Sequence, residues 1–178
     1  MALAVTRFPP SLAAGLLSLA LLAQPSEVTE ARVRLALIEK LVRFVDWPGE
    51  APPPDRPFVL AVVGRTPFGD ELDEYFRRRT IKNRPVRIRY LKTLEDLGEC
   101  DLLYVCASEK DRIPALLALV RHRPILTLGE TPGFTRAGVM VGLIREGDRI
   151  GFELNLTRAK EAGFRFSPGF IQLAKVQG

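Results

Sequence analysis

Residues 58–64 read Phe-Val-Leu-Ala-Val-Val-Gly, six apolar side chains in an unbroken row closed by a glycine. A strand with one face in water alternates apolar and polar residues. An unbroken apolar run of strand length is covered on both faces. Residues 101–107, Asp-Leu-Leu-Tyr-Val-Cys-Ala, repeat the pattern, and residues 124–130, Pro-Ile-Leu-Thr-Leu-Gly-Glu, supply a further strand. Helical spacing occupies the segments between them. Strands buried on both faces and alternating with helices build a mostly parallel sheet between helical layers. The expected fold class is therefore α/β with three layers.

The remaining segments fit around that sheet. Residues 84–91 alternate Val86, Ile88 and Tyr90 against Arg87 and Arg89, which predicts a strand with one polar face. Residues 138–156 read as a hairpin about the turn Glu146-Gly147-Asp148, an antiparallel addition to the sheet. Over 28–47, Val28, Ala31, Leu35, Ile38, Val42 and Val45 recur at three- and four-residue spacing, with Leu41 beside them. This predicts an amphipathic helix with Thr29 as N-cap, Trp47 closing the apolar stripe and Pro48-Gly49 as the stop. Residues 51–57, Ala-Pro-Pro-Pro-Asp-Arg-Pro, form a stiff linker. Thr66 and Pro67 predict a helix start after the first buried strand. Ser108 predicts another over 108–122, with Pro114 early in it and Arg121 and His122 at its end. Within 157–166 a short helix closes at Gly163 and an extended piece follows, and 168–177 is a final helix or strand.

The first 23 residues have a different character. Arg7 is their only charge, and Ser11–Ala23 is apolar or small throughout. Thirteen residues fall short of the about 20 that span a bilayer. A basic start, a short apolar run and a small-residue exit predict a secretory signal peptide over 1–23, leaving one domain over 24–178 and no stable membrane insertion after its removal. Removing Arg7 takes the net charge from +5 to +4. That mild surplus, in an exported chain, favours anionic envelope partners over nucleic acid. Export permits disulfides, yet the six strand steps between Cys100 and Cys106 cover roughly 20 Å, whereas a disulfide needs its Cα atoms within about 7 Å. No Cys100–Cys106 bond is expected. Cys106 reads as a buried apolar side chain, and Cys100 as a free thiol or a link to another chain.

Catalytic chemistry finds little support. His122 is the only histidine, so neither a zinc cluster nor a histidine-based triad is in reach. Gly64-Arg-Thr-Pro-Phe-Gly69 follows a strand but lacks the Gly-Lys-Ser/Thr ending of a phosphate loop. An anion at the next helix start competes there with plain turn chemistry. No enzyme activity, metal or cofactor is expected. Residues 77–89 hold seven basic side chains and no acid. They read either as a solvated edge or, through Arg84, Arg87 and Arg89, as a docking patch for an acidic partner. Phe44 and Trp47 read as core or as an aromatic contact surface. Asn155 reads as a backbone-bonding residue where a strand meets the following helix, and it completes the set of candidate partner- or ligand-binding residues.

Several of these segments together resemble the YfiR family of exported bacterial proteins. The matching pieces are EKLVRFVDWP (39–48), FVLAVVGRTPFGDEL (58–72), RPVRIRYL (84–91), CDLLYVCASE (100–109), PILTLGETPGFTRAGVM (124–140) and RIGFELNLTRAKEAGFRFSPGFIQLAKV (149–176). The resemblance implies a periplasmic protein with a Rossmann-like, mostly parallel sheet. It implies a non-enzymatic regulator that represses an inner-membrane diguanylate cyclase through that enzyme's periplasmic domain, and so controls cyclic-di-GMP and biofilm formation. A homodimer is a further family-based expectation. The alternative is a small-molecule-binding module serving a histidine kinase or an outer-membrane receptor. The chain departs from the family pattern where Val139 follows Gly138, where Gly142 replaces an asparagine, and where Pro168-Gly169 follows Ser167.

Overall fold

The computed structural model describes residues 29–177; the predicted signal peptide lies outside them. In chain order the elements are α1 (Glu30–Leu41), β1 (Val45–Asp46), β2 (Phe58–Val63), α2 (Glu71–Phe76), β3 (Thr80–Ile81), β4 (Arg84–Leu91), β5 (Leu102–Val105), α3 (Ile113–Val120), β6 (Leu126–Gly129), β7 (Val141–Glu146), β8 (Arg149–Asn155), α4 (Leu156–Glu161), β9 (Arg165–Phe166), α5 (Pro168–Leu173) and β10 (Lys175–Gln177). Eight strands form one sheet in the order β10-β8-β7-β6-β5-β2-β4-β3, and β1 and β9 form a separate antiparallel pair. The centre, β4-β2-β5-β6-β7, is parallel. β8 runs antiparallel to β7, as the hairpin pattern predicts, and β3 antiparallel to β4. The hairpin does not end the sheet, because the segment read as helix or strand is both: α5 leads into β10, which pairs in parallel with β8.

The unbroken apolar runs behave as their composition requires. Leu60, Val62, Leu102, Tyr104, Leu126 and Leu128 pack on one side of the sheet with side chains from α1, α2 and α5. Val59, Ala61, Val63, Leu103 and Val105 pack on the other with Ile113, Leu116 and Val120 of α3 and with Phe134. Successive side chains of one strand thus serve opposite clusters.

Three helices differ from their sequence-based bounds, each for a backbone reason. Thr29 caps α1 by accepting the Arg32 N–H at 3.2 Å, but the helix stops at Leu41. Residues Val42–Phe44 tighten into a 3-10 turn, and Val45–Asp46 pairs with Arg165–Phe166. The stretch is rich in β-branched and aromatic residues, which hold a helix poorly, and a strand partner is available. Val42 and Val45 of the apolar stripe are still fully buried. After β2, Thr66 accepts the Phe68 N–H in a tight turn instead of capping a helix. Gly69 adopts φ +52°, a left-handed conformation that a right-handed helix cannot include, so α2 begins at Glu71. Over 108–122, Ala107–Arg112 is a 3-10 segment, and α3 starts only at Ile113, with Pro114 in its first turn. Proline has no N–H to bond back to Lys110. Ser108 turns away and accepts the Arg65 N–H at 2.9 Å.

Asp101, just before β5, binds three neighbouring strands, β2, β4 and β6, at once. Its carboxylate accepts the Val59 N–H at 2.8 Å and the Arg84 guanidinium at 2.9 Å. Its N–H donates to the Val59 carbonyl, and its own carbonyl accepts the Leu126 N–H. Asp101 and Arg84 are each only 5% exposed. A buried carboxylate that loses its cation remains as an uncompensated charge. Arg84→Ala should therefore lower the free energy of unfolding by about 3–5 kcal/mol in urea melts. The uncharged pair Arg84→Met with Asp101→Asn, which keeps an acceptor for the Val59 N–H, should recover part of that loss; a larger loss in the double variant would show that the ion pair itself carries the stability.

Both cysteines are free and buried. Cys100 is 5% exposed, so it is not placed to link to another chain. Burial pushes the Cys100 thiol up to about 11. Burial, with the Glu130 and Glu109 carboxylates, pushes Cys106 up to about 12. The unfolded thiols lose their protons near the ordinary value of 9.0, while the folded ones keep them. The native state then binds more protons, so stability is full below about pH 9 and falls as pH rises beyond it. Melts between pH 8 and 11 should show this fall, and Cys106→Ala should shrink it.

Candidate functional site

The six sequence-based candidates do not share one surface. Trp47 is half-buried, edge-on to Phe58 at 5.8 Å and to Phe164 at 5.7 Å. Its Nε1–H donates to the Asp101 carbonyl at 3.1 Å, and the Lys82 ammonium lies 5.2 Å from the ring centre. The indole thus holds the β1 segment on the end of the central sheet, with a polar tip satisfied by backbone. Phe44 is 43% exposed and stacks on Phe170 of α5 at 6.1 Å.

The three arginines part company through the pleat of β4. Arg84 lies buried on the side of Val86 and Ile88, against Asp101. Arg87 and Arg89 point to the other side. Arg89 donates to the carbonyls of Asp96 (2.8 Å), Glu99 (3.1 Å) and Leu97 (3.3 Å), closing the loop before β5. Arg87 alone of the three is exposed. Asn155 caps α4 by accepting the Arg158 N–H at 2.8 Å, and it donates to the Thr135 carbonyl at 2.7 Å. The backbone-bonding role read from its position is present.

In a doubly wound sheet, ligands favour the crevice outside the strand carboxyl ends where the order reverses, here between β2 and β5. Side chains fill that crevice. Gly64 follows β2 at φ +93°, and a Cβ there would run into Ser108 Oγ and lie 2.9 Å from the Glu109 side chain. Glu109 is itself buried and accepts from Arg112 at 3.2 Å.

The open space lies one strand further along. A cleft of about 360 Å³ runs beside the carboxyl end of β6, walled by Arg34, Glu130 and Pro132 on one side and by β7 and β8 on the other. β6 pairs with β7 only through Leu128 and Gly129, opposite Val141 and Gly142. β7 continues to Glu146, paired on its far side with β8 throughout. The stretch Leu143–Glu146 therefore borders the cleft with no strand neighbour on the β6 side among the described residues.

Charge in the cleft is dense. Arg34 pairs with Glu30 on its own helix and with Glu130 at 3.1 Å. Arg145 of β7 reaches Glu30 at 3.2 Å. Glu153 of β8 is 7% exposed, and its carboxylate accepts from the Thr135 hydroxyl at 2.7 Å and from the Gln177 amide at 3.4 Å. Gly142 makes this arrangement possible: a Cβ there would sit 3.1 Å from Thr135 Cγ2 and 3.4 Å from Glu153 Cβ. Behind Glu130 lies the fully buried Tyr104. Its phenol is pushed far up by burial first and by the Glu130 carboxylate second, so it stays neutral.

The cleft escaped sequence reasoning because its residues come from α1, the loop after β6, β7, β8 and β10. No local spacing joins them. The one local signal was Glu153, an acid set among apolar residues in a strand. The arrangement suits recognition of charge and backbone. Among the described residues, no group of three or more His, Cys, Asp or Glu side chains could hold a metal ion. No described helix is long and apolar enough to cross a membrane.

A doubly wound sheet with a charged cleft at a strand carboxyl end defines a Rossmann-like α/β domain. The sequence matches the YfiR/HmsC-like family over residues 31–175, and the chain belongs to that family. Among solved structures, a conserved domain protein from Vibrio cholerae O1 biovar El Tor N16961 is similar at 11% identity and TM-score 0.58 over 84% of this chain. The ABC domain in complex with L-Trp from Streptococcus pneumoniae is similar at 9% identity and TM-score 0.57 over 82% of it. These likenesses concern the fold alone, and the chain spans 60% and 59% of the two structures' lengths.

Trp47→Phe removes the Nε1–H bond to Asp101 and part of the packing on Phe58 and Phe164. It should destabilise the protein by about 1–3 kcal/mol in denaturant melts. An unchanged melt with lost biological activity would instead make the indole a contact surface.

Proposed function

We propose that the protein is a non-enzymatic periplasmic regulator that binds an inner-membrane signalling protein and holds it inactive, and that this partner is a diguanylate cyclase. Family membership over 31–175 carries the reading. The predicted signal peptide over 1–23 supports it, since removal of that segment would leave a domain in the periplasm facing a sensor's outer part. A charged cleft with no assembled nucleophile and base among the described residues fits a binding role. Exposed Phe44, stacked on α5, and Leu173, the last residue of α5, offer apolar contact area for a protein partner.

A small-molecule module for a histidine kinase or receptor system is the second reading. The cleft favours it, because about 360 Å³ lies within the size range of ligand pockets. Native mass spectrometry of protein from its own periplasm separates the two, as a ligand-sized mass increment favours the module. Deleting the gene should raise cyclic-di-GMP in the host, and a plasmid copy should return it to the starting level. Unchanged nucleotide levels would sink the cyclase reading.

A further inference from the structure

The cleft beside β6 is open along a strand edge, and that edge has its own chemistry. β7 and β8 alternate between hydrogen-bonded and non-bonded pairs. The Asn155 N–H bond to the Met140 carbonyl sets the phase. With Val141 opposite Leu154 and Arg145 opposite Ile150, the main-chain N–H and C=O of Arg145 turn away from β8 and toward the cleft, as does the Leu143 carbonyl. An unpaired strand edge is a template for another extended chain. Leu143–Glu146 is four residues long, about 13 Å of strand.

The charges around this edge are not balanced among themselves. Arg34 and Arg145 are already occupied by Glu130 and Glu30. Glu153 is held by two neutral donors, Thr135 and Gln177. Lys175 lines the same cleft, opposite Glu153 in the strand register, but makes no ion pair with it, and Glu146 at the edge has no cation either among the described residues, so two carboxylates face one free ammonium. A buried carboxylate held only by neutral donors gains from a cation. Backbone donors and acceptors at the edge, with carboxylates lining the groove, describe a cationic polypeptide strand better than a free small ion, which would leave the edge unpaired.

We propose that the open edge of β7 is a docking groove for an extended, lysine- or arginine-bearing segment of a protein partner, which adds to the sheet beside Leu143–Glu146. This deepens the partner-binding reading above and rests on it, by assigning where on the molecule such a partner is held. The main-chain bonds supply affinity, and the carboxylates select the side chains.

The test uses the isotope-labelled protein and a blocked hexapeptide, Thr-Lys-Val-Lys-Val-Thr. Amide shifts should concentrate at Leu143–Glu146 and Glu153. N-methylation at two adjacent peptide residues, one of which must face β7 in either register, should weaken binding at least tenfold. Replacing both peptide lysines by norleucine should do the same. Glu153→Gln, which keeps an acceptor for Thr135, should weaken the lysine peptide at least tenfold and leave the norleucine peptide unchanged. The peptide variants act on the unaltered protein, so the test holds even if the substitution harms folding. Shifts elsewhere, no shifts, equal binding of the N-methylated peptide, or equal occupancy by spermidine alone would each overturn the proposal. Such a failure leaves the deletion phenotype untouched, and a failed deletion phenotype leaves the groove measurable.

Discussion

Asp101 joins four neighbouring segments through its carboxylate and its backbone together. Its carboxylate bonds β2 through Val59 and β4 through Arg84, while its backbone reaches β2 and β6 and receives the Trp47 indole. These contacts sit at the amino end of the parallel strands, where neighbouring chains would otherwise splay. The cost of burying an acid there is offset by the Arg84 guanidinium and by the Val59 N–H. One Arg84 nitrogen, Nη1, stays buried without a partner, and the guanidinium lies 5.1 Å from the centre of the Phe58 ring. With one end of the sheet held this tightly, the open cleft lies at the other end.

That opposite end is organised by α1. Glu30, in the first turn, sits between Arg34 on its own helix and Arg145 on β7. Arg34 in turn meets Glu130 beyond β6. This chain of charges ties the helix layer to the protruding half of the β7–β8 hairpin and sets the width of the cleft. Exposed pairs of this kind add little stability singly. Their value here is positional, since they orient one wall of the groove against the other.

The comparison of sequence with structure is most instructive at residues 42–47. The apolar stripe identified the buried side chains, and Val42 and Val45 are buried as the spacing requires. The backbone path was wrong, because a stripe at three- and four-residue spacing is also met by a 3-10 turn leading into a strand. The arginines of β4 show a second limit. Alternation separates Arg84 from Arg87 and Arg89, but only the fold places Asp101 beneath Arg84 and turns a surface candidate into a buried ion pair. Ser108 shows a third, since a good capping residue was taken by the Arg65 N–H across the sheet.

Local chemistry was enough to specify the α/β class, the doubly covered strands, the β7–β8 hairpin, the Thr29 cap and the absence of a cysteine bridge. Each depends on periodicity, on φ preferences or on the reach of a short chain segment. Tertiary structure alone decided where β7 outruns β6, which acids lack a cation, and how five separate segments enclose one cleft. Those outcomes depend on strand register and on contacts between residues more than a hundred positions apart, such as Glu30 with Arg145. No spacing along the chain encodes such distances, because the sheet brings the residues together only after every strand has found its neighbour.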